Sequence, residues 1–228
     1  MPLTLNVAKA DLSIESAFAQ PEFGLFRDTP GLVEHLFRRL QPYGLRIQDM
    51  KIDRGGGNMA ELHVACHLFN FRLGVLVRTD KVEIAWLDVR DTDVDQFGAA
   101  SVEAFSAVKD HKPAVTFRSH ALGVAMHGTL EGSSTRDYLS RFAQNVPGGL
   151  GPPTGSGGVM YFGAEDDRVL SSVTLDVSGV LSEGLFVRTY VVWDANKVEP
   201  SALPARATAF VRHSFDAFGL EVPALGSS

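Results

Sequence analysis

Residues 171–193, SSVTLDVSGVLSEGLFVRTYVVW, limit the possible folds more than any other stretch of the chain. They read as two strands joined by a short turn at Ser182-Glu183-Gly184, with a helix close behind. A similar hairpin-then-helix order occurs at 71–108. There Phe71, Leu73, Val75 and Val77 fall on one side of a strand, and Arg72, Gly74, Leu76 and Arg78 on the other. After a turn at Thr79-Asp80-Lys81, the residues Val82, Ile84 and Trp86 continue the alternation. A period of two with one apolar face describes an antiparallel meander whose apolar side must be covered.

The cover is written in helical periods. Asp28-Thr29-Pro30 is a start signal, and Leu32, Val33, Leu36, Phe37 and Leu40 then share a face until Pro42 and Gly44. A second helix is expected over 93–109, with Val94, Phe97, Val102, Phe105 and Val108 inward. Ser133-Ser134 caps a shorter one over 134–144, carrying Tyr138, Leu139, Phe142 and Ala143. The last is expected over 202–218, with Pro204 in its first turn and Gly219 as its stop. The remaining strands are one or two before Gln20, one near 45–52 broken at Asp49, and others near 59–69, 81–89, 114–130 and 158–163. The 114–130 strand has mixed residues on both faces, so its buried side is not evident. Residues 147–158 hold six glycines and three prolines, which suits an exposed loop.

In order, the elements run strand, helix, about four strands, helix, and then strand, helix, three strands, helix. The expected fold class is α+β: a curved antiparallel sheet with helices packed on one face, built by internal duplication of a strand–helix–strands–helix unit. The first repeat would span 1–112 and the second 113–222, packed as one compact unit, with 223–228 a loose tail.

Composition narrows the function. With 228 residues, 45% of them hydrophobic and 21% charged, the chain can bury a core without disulfides or metals. A net charge of -6 counts against nucleic-acid binding, which needs a basic face. Cys66 is the only cysteine, so no intramolecular disulfide forms. No apolar run reaches the roughly 18 residues of a membrane span, and the first residues lack a basic start and an apolar leader. A soluble, cytoplasmic protein is expected.

The layout carried by Phe71–Trp86 and Leu185–Trp193 resembles the TATA-box-binding-protein fold and its helix-grip relatives. It is also similar to a poorly characterised bacterial family of about this length. The resemblance spans nearly the whole chain and implies the doubled sheet-and-helix scaffold. It brings no catalytic motif. The acidic charge departs from the basic, DNA-facing sheet of true TATA-binding proteins, so that role does not carry over.

Catalytic and metal patterns are weak. His63 and His67 on one strand point the same way but stand about 13 Å apart at the usual rise, too far to share an ion. Cys66 points the opposite way, and the glutamate of a zinc-protease motif is missing. His120 and His127 lie on opposite faces of one strand. Asp91, Asp93 and Asp95 imitate the start of a calcium loop, but Gln96 and Val102 replace its glycine and its glutamate. Gly55-Gly56-Gly57 and the glycines at 155–158 lack the Lys-Ser/Thr of a phosphate loop. No cofactor is implied.

Three functional readings follow. The first is a non-enzymatic protein-binding or assembly component, acting through sheet edges and loops on a protein partner or on itself. Its acidic hairpin tip, Glu165, Asp166 and Asp167, is a candidate contact. The second is a carrier or sensor of a small apolar ligand, with Phe71, Trp86, Phe186, Trp193 and Phe215 lining a cavity under the last helix. The third is a hydrolase-like enzyme, which requires at least two of His63, His67, His120 and His127 to meet a carboxylate.

Overall fold

The period-two stretches become strands of a single open sheet. The computed structural model describes residues 2–53, 56, 61–142 and 157–223. In chain order the elements are β1 (Leu3–Phe18), α1 (Thr29–Leu40), β2 (Met50–Asp53), β3 (His63–Leu68), β4 (Leu73–Arg78), β5 (Lys81–Trp86) and α2 (Val94–His111). Then come β6 (Phe117–Leu130), α3 (Thr135–Ser140), β7 (Gly158–Phe162), β8 (Arg168–Val177), β9 (Leu185–Asp194), α4 (Leu203–Ala217) and β10 (Leu220–Glu221). The sheet runs β2-β3-β4-β5-β1-β6-β9-β8-β7, and β10 joins the start of β1. All pairings are antiparallel except that of β10, whose Leu220 and Glu221 run parallel to Leu3 and Thr4. The order therefore reads alike outward from the central pair: β5, β4, β3 on one side of β1, and β9, β8, β7 on the other side of β6.

Register assigns the faces. Ile14 of β1 stands between Ile84 of β5 and Leu122 of β6, and Leu122 faces Val191 of β9. This row and those around it are buried under the helices. The neighbouring row, Glu15 with Glu83 and Ala121, belongs to the opposite, open face. The ambiguity of the 114–130 stretch is thereby settled: His120, Leu122, Val124 and Met126 face the helices. Small residues on its other side, Ala121 and Gly123, are shielded by larger neighbours; a Cβ on Gly123 would lie 2.9 Å from Ser13 Oγ and 3.8 Å from Tyr190.

The helices start and dock for identifiable reasons. Asp28 accepts the Gly31 N–H at 3.0 Å, and Pro30 occupies the first turn of α1. Leu32, Leu36 and Leu40 are fully buried. Arg39 ties α1 to α2 through Asp110 at 2.6 Å and Glu103 at 3.0 Å. The α2 residue Phe97 packs between the rings of Phe69 and Trp86, at 5.0 and 5.3 Å. Trp86 donates its indole N–H to Ser101, which donates to the Phe97 carbonyl. Ser134 caps α3 as its sequence suggests, and Tyr138 from α3 donates to the Phe218 carbonyl just beyond α4.

Several expectations change. The N-terminal pattern is one strand of 16 residues. The segment before Asp49 forms a short 3-10 turn, so the strand there begins only at Met50. Phe71 is not a strand residue: Phe69, Asn70 and Phe71 all have positive φ (52, 55 and 67°) and make the β3–β4 turn. Alternation alone cannot see this, because Phe71 keeps the parity of the strand that follows. The third helix is six residues long and ends before Phe142. Residues 147–156 of the glycine-rich stretch, and the tail after Pro223, lie outside the described residues.

Candidate functional site

Two features stand out, a cleft on the helical face and the strand at one end of the sheet. The cleft lies between α2 and α4, over the middle of β1 and β6, with a volume of about 1000 Å³. Its floor includes Ala10, Leu12 and Ile14 from β1 and Val124 and Met126 from β6. Trp86, Val94 and Val102 stand on one wall, and Val211 and Phe215 on the other. The two helices meet where a Cβ on Gly98 would be 3.6 Å from Pro204. Beyond that point they leave Leu12, Val94, Val102 and Val211 only half-buried. Asp91, Asp95, Arg212, Asp216 and Glu221 stand around the opening, all exposed.

Of the five aromatic residues expected to line a cavity, Trp86 and Phe215 do stand on this cleft. The other three do not. Phe71 is in a turn, 64% exposed, with its ring against His67 at 4.9 Å. Phe186 is on the open face, beside His127 at 4.8 Å. Trp193 is buried against Phe210 of α4 at 6.3 Å, outside the cleft lining. Strand parity separates Phe186 from Trp193, since residues an odd number apart face opposite ways.

At the sheet end, one side of β7 is unpaired among the described residues. Its sequence is GVMYF, without charge, proline or polar side chain other than the tyrosine hydroxyl. Val159, Tyr161 and Phe162 are 49%, 73% and 44% exposed. Val169, Leu170 and Val177 on the adjacent β8 are exposed as well. Among the described residues, this uncharged edge strand in an apolar patch offers unpaired backbone groups and apolar side chains together.

The acidic tip is largely consumed within the molecule. Glu165 pairs with Arg168, and Asp167 pairs with Arg206 of α4. Asp166 takes a positive φ of 54°, and its carbonyl accepts from Lys197 at 3.0 Å. What remains for a partner is the single carboxylate of Asp166 and the outer side of Glu165. The sequence showed three like charges; their counterions come from α4 and from β8.

His63, His67, His120 and His127, the four that the enzyme reading needs, do not gather. His63 and His67 sit on the open face of β3, and His127 on the open face of β6, four strands away, about 19 Å at ~4.8 Å per strand. His120 lies on the helical side, fully buried, its Nδ1 sharing a hydrogen bond of 2.7 Å with Ser16 Oγ. Burial, with a smaller contribution from the nearby Lys109 charge, pushes its pKa down to about 4. A serine–histidine pair sealed from solvent cannot meet a substrate, so here it is a hydrogen bond within the core. Cys66 is likewise buried, and burial alone pushes its thiol up to about 12. Asp93 is held by Arg72 and accepts the Arg90 N–H at 2.9 Å; these contacts keep its carboxyl below the usual range despite the opposing effect of burial. Among the described residues no group of three or more His, Cys, Asp or Glu side chains is placed to hold a metal.

Compared with known proteins, the chain matches no family model and no curated sequence.

Proposed function

We propose that this protein is a non-enzymatic assembly component that associates with a second copy of itself along β7. The observation that carries this reading is the uncharged, exposed GVMYF edge. Natural edge strands are guarded by charge, proline or a covering element, because an open ladder recruits any strand it meets. An antiparallel pair of identical strands is self-complementary and closes into a two-fold dimer. Centring that pair on Met160 sets each Val159 opposite a Tyr161 on the open face, and each Gly158 opposite a Phe162 on the other. Aromatic residues against β-branched ones are favourable cross-strand pairs, and no like charges meet. The strand order outward from β1 and β6 also favours the doubled scaffold read in the sequence, with β7 at the end of its second half.

Multi-angle light scattering over a dilution series tests the proposal. The wild type is expected to dimerise, and the Val159→Lys/Tyr161→Lys double variant to be monomeric with an unchanged circular dichroism spectrum. Its dissociation constant should rise by more than about tenfold. A wild type that stays monomeric at every concentration, or a lysine variant that dimerises as well as the wild type, overturns it.

A further inference from the structure

We infer that the cleft between α2 and α4 binds a cationic amphiphile: an apolar chain or ring system lying on β1 and β6, with a protonated amine at the opening. The site is independent of β7 and would work in a monomer or a dimer.

The apolar half of the argument is geometric. About 1000 Å³ is at the upper end of the range in which proteins hold small ligands. Leu12 lies in mid-sheet, where every neighbour in its row is buried: Trp86 on β5 and Val124 on β6. Yet Leu12 itself is only half-buried, because it lies on the floor of the cleft between the helices. Val94, Val102 and Val211 share that condition from the walls. Apolar side chains half-exposed in a concave site gain from an apolar occupant and from little else.

The charged half comes from the rim. Asp95, Asp216 and Glu221 bring three carboxylates, against one guanidinium, Arg212. Arg212 sits four residues before Asp216 on α4, the spacing at which side chains on a helix are neighbours, and with that one positive charge counted the rim still carries a net negative charge. Asp95, Asp216, Glu221 and Arg212 make no salt bridge among the described residues. The opening is therefore acidic, on a chain that is itself acidic at -6. A fatty-acid carboxylate would be repelled there, and an ammonium group would be attracted and steered in.

Displacement of the neutral fluorophore N-phenyl-1-naphthylamine, at low salt and below the critical micelle concentration of each competitor, reads both halves. The wild type is expected to take up the fluorophore, and dodecylammonium to displace it at least about tenfold more tightly than dodecanoate. Val211→Arg, at a half-buried wall position, is expected to abolish fluorophore uptake with the circular dichroism spectrum unchanged. Asp95→Asn/Asp216→Asn/Glu221→Gln is expected to keep fluorophore uptake while bringing the two competitors to within about twofold of each other. No uptake by the wild type, dodecanoate binding as tightly as dodecylammonium, or an ammonium preference that survives neutralisation of the rim overturns the inference. A failed dimerisation experiment leaves all of these readouts intact, because none depends on association.

Discussion

The two ends of the sheet are finished differently. At the first, β2 carries Lys51 and Asp53, 3.9 Å apart, and two long helices back the strands that follow it: 12 residues in α1 and 18 in α2. Arg39 clamps those helices together. At the second, β7 carries no charge, and the helix that precedes it has six residues. The exposed apolar residues of the first half are Phe23, Ile47, Phe71 and Leu87, with Ile52 the one on its edge strand β2. Those of the second half concentrate on β7 and β8. The two ends of the sheet thus differ. One flank runs a strand further out, to β2, is charged at its margin beside a single exposed Ile52, and is backed by packed helices. The other keeps apolar area and free backbone that the chain does not cover with its own described helices.

Truncating a large ring on each flank gives the largest contrast. Phe97 is 1% exposed and held between Phe69 and Trp86, so Phe97→Ala should cost about 3–5 kcal/mol in urea unfolding. Phe162 is 44% exposed, so Phe162→Ala should cost under about 1 kcal/mol in a monomeric background and should instead weaken dimerisation. Equal losses of stability for the two variants would break the comparison, because β7 would then be core and not contact surface.

The halves are joined at the centre by a polar link, and its acid response is the next effect in size. Ser16 of β1 and His120 of β6 share their hydrogen bond under the helices, where burial holds the imidazole neutral, with a pKa of about 4 against the ordinary 6.5. The folded state therefore refuses a proton that the unfolded chain accepts below pH 6.5. The contribution is complete above the unfolded pKa and is lost as pH falls toward the folded one. Between pH 7 and pH 5 the loss should be about 2 kcal/mol. His127, shifted the same way by burial and by Lys9, adds a part of its own. His120→Gln keeps a partner for Ser16 and removes the proton acceptor. Urea titrations at the two pH values should show a smaller decline in that variant than in the wild type; an unchanged decline would place the acid sensitivity elsewhere.

Much of this scaffold was legible in the sequence, for reasons that also mark the boundary. Strands such as Leu73–Arg78 and Leu185–Asp194 alternate strictly because one face is buried and the other is wet. The α1 start was written in Asp28 and Pro30, whose roles are local. The 114–130 strand resisted because, on an interior strand with small residues on its open side, both parities end up shielded. The cleft was legible only in part. Trp86 and Phe215 were named for it, but Leu12, Val102 and Val211 look like ordinary core residues until the cleft between α2 and α4 is seen. The acidic tip misled for the same reason: Arg206, which neutralises Asp167, lies 39 residues away in sequence. The β7 edge was legible as an apolar strand, but its place at the end of the sheet follows from the order of pairing, which no local pattern encodes.

The smallest expected effect is at the hairpin tips. On the first flank, three consecutive non-glycine residues, Phe69, Asn70 and Phe71, take left-handed backbone conformations. On the second, the β7–β8 tip has only Asp166 in that state, a residue type that tolerates it. Phe69 is compensated by its stack on Phe97, whereas Phe71 has only a solvent-facing contact with His67. A left-handed backbone costs a residue with a Cβ about 1–2 kcal/mol, and glycine avoids that penalty but loses more freedom on folding. Phe71→Gly should therefore stabilise the protein by about 0.5 kcal/mol, and Asp166→Gly by less. Chemical denaturation of the two variants at one pH measures the difference. If Phe71→Gly is destabilising by more than about 1 kcal/mol, the exposed ring contributes more through His67 than its backbone strain removes, and the first flank, not only the second, presents an apolar contact at its margin.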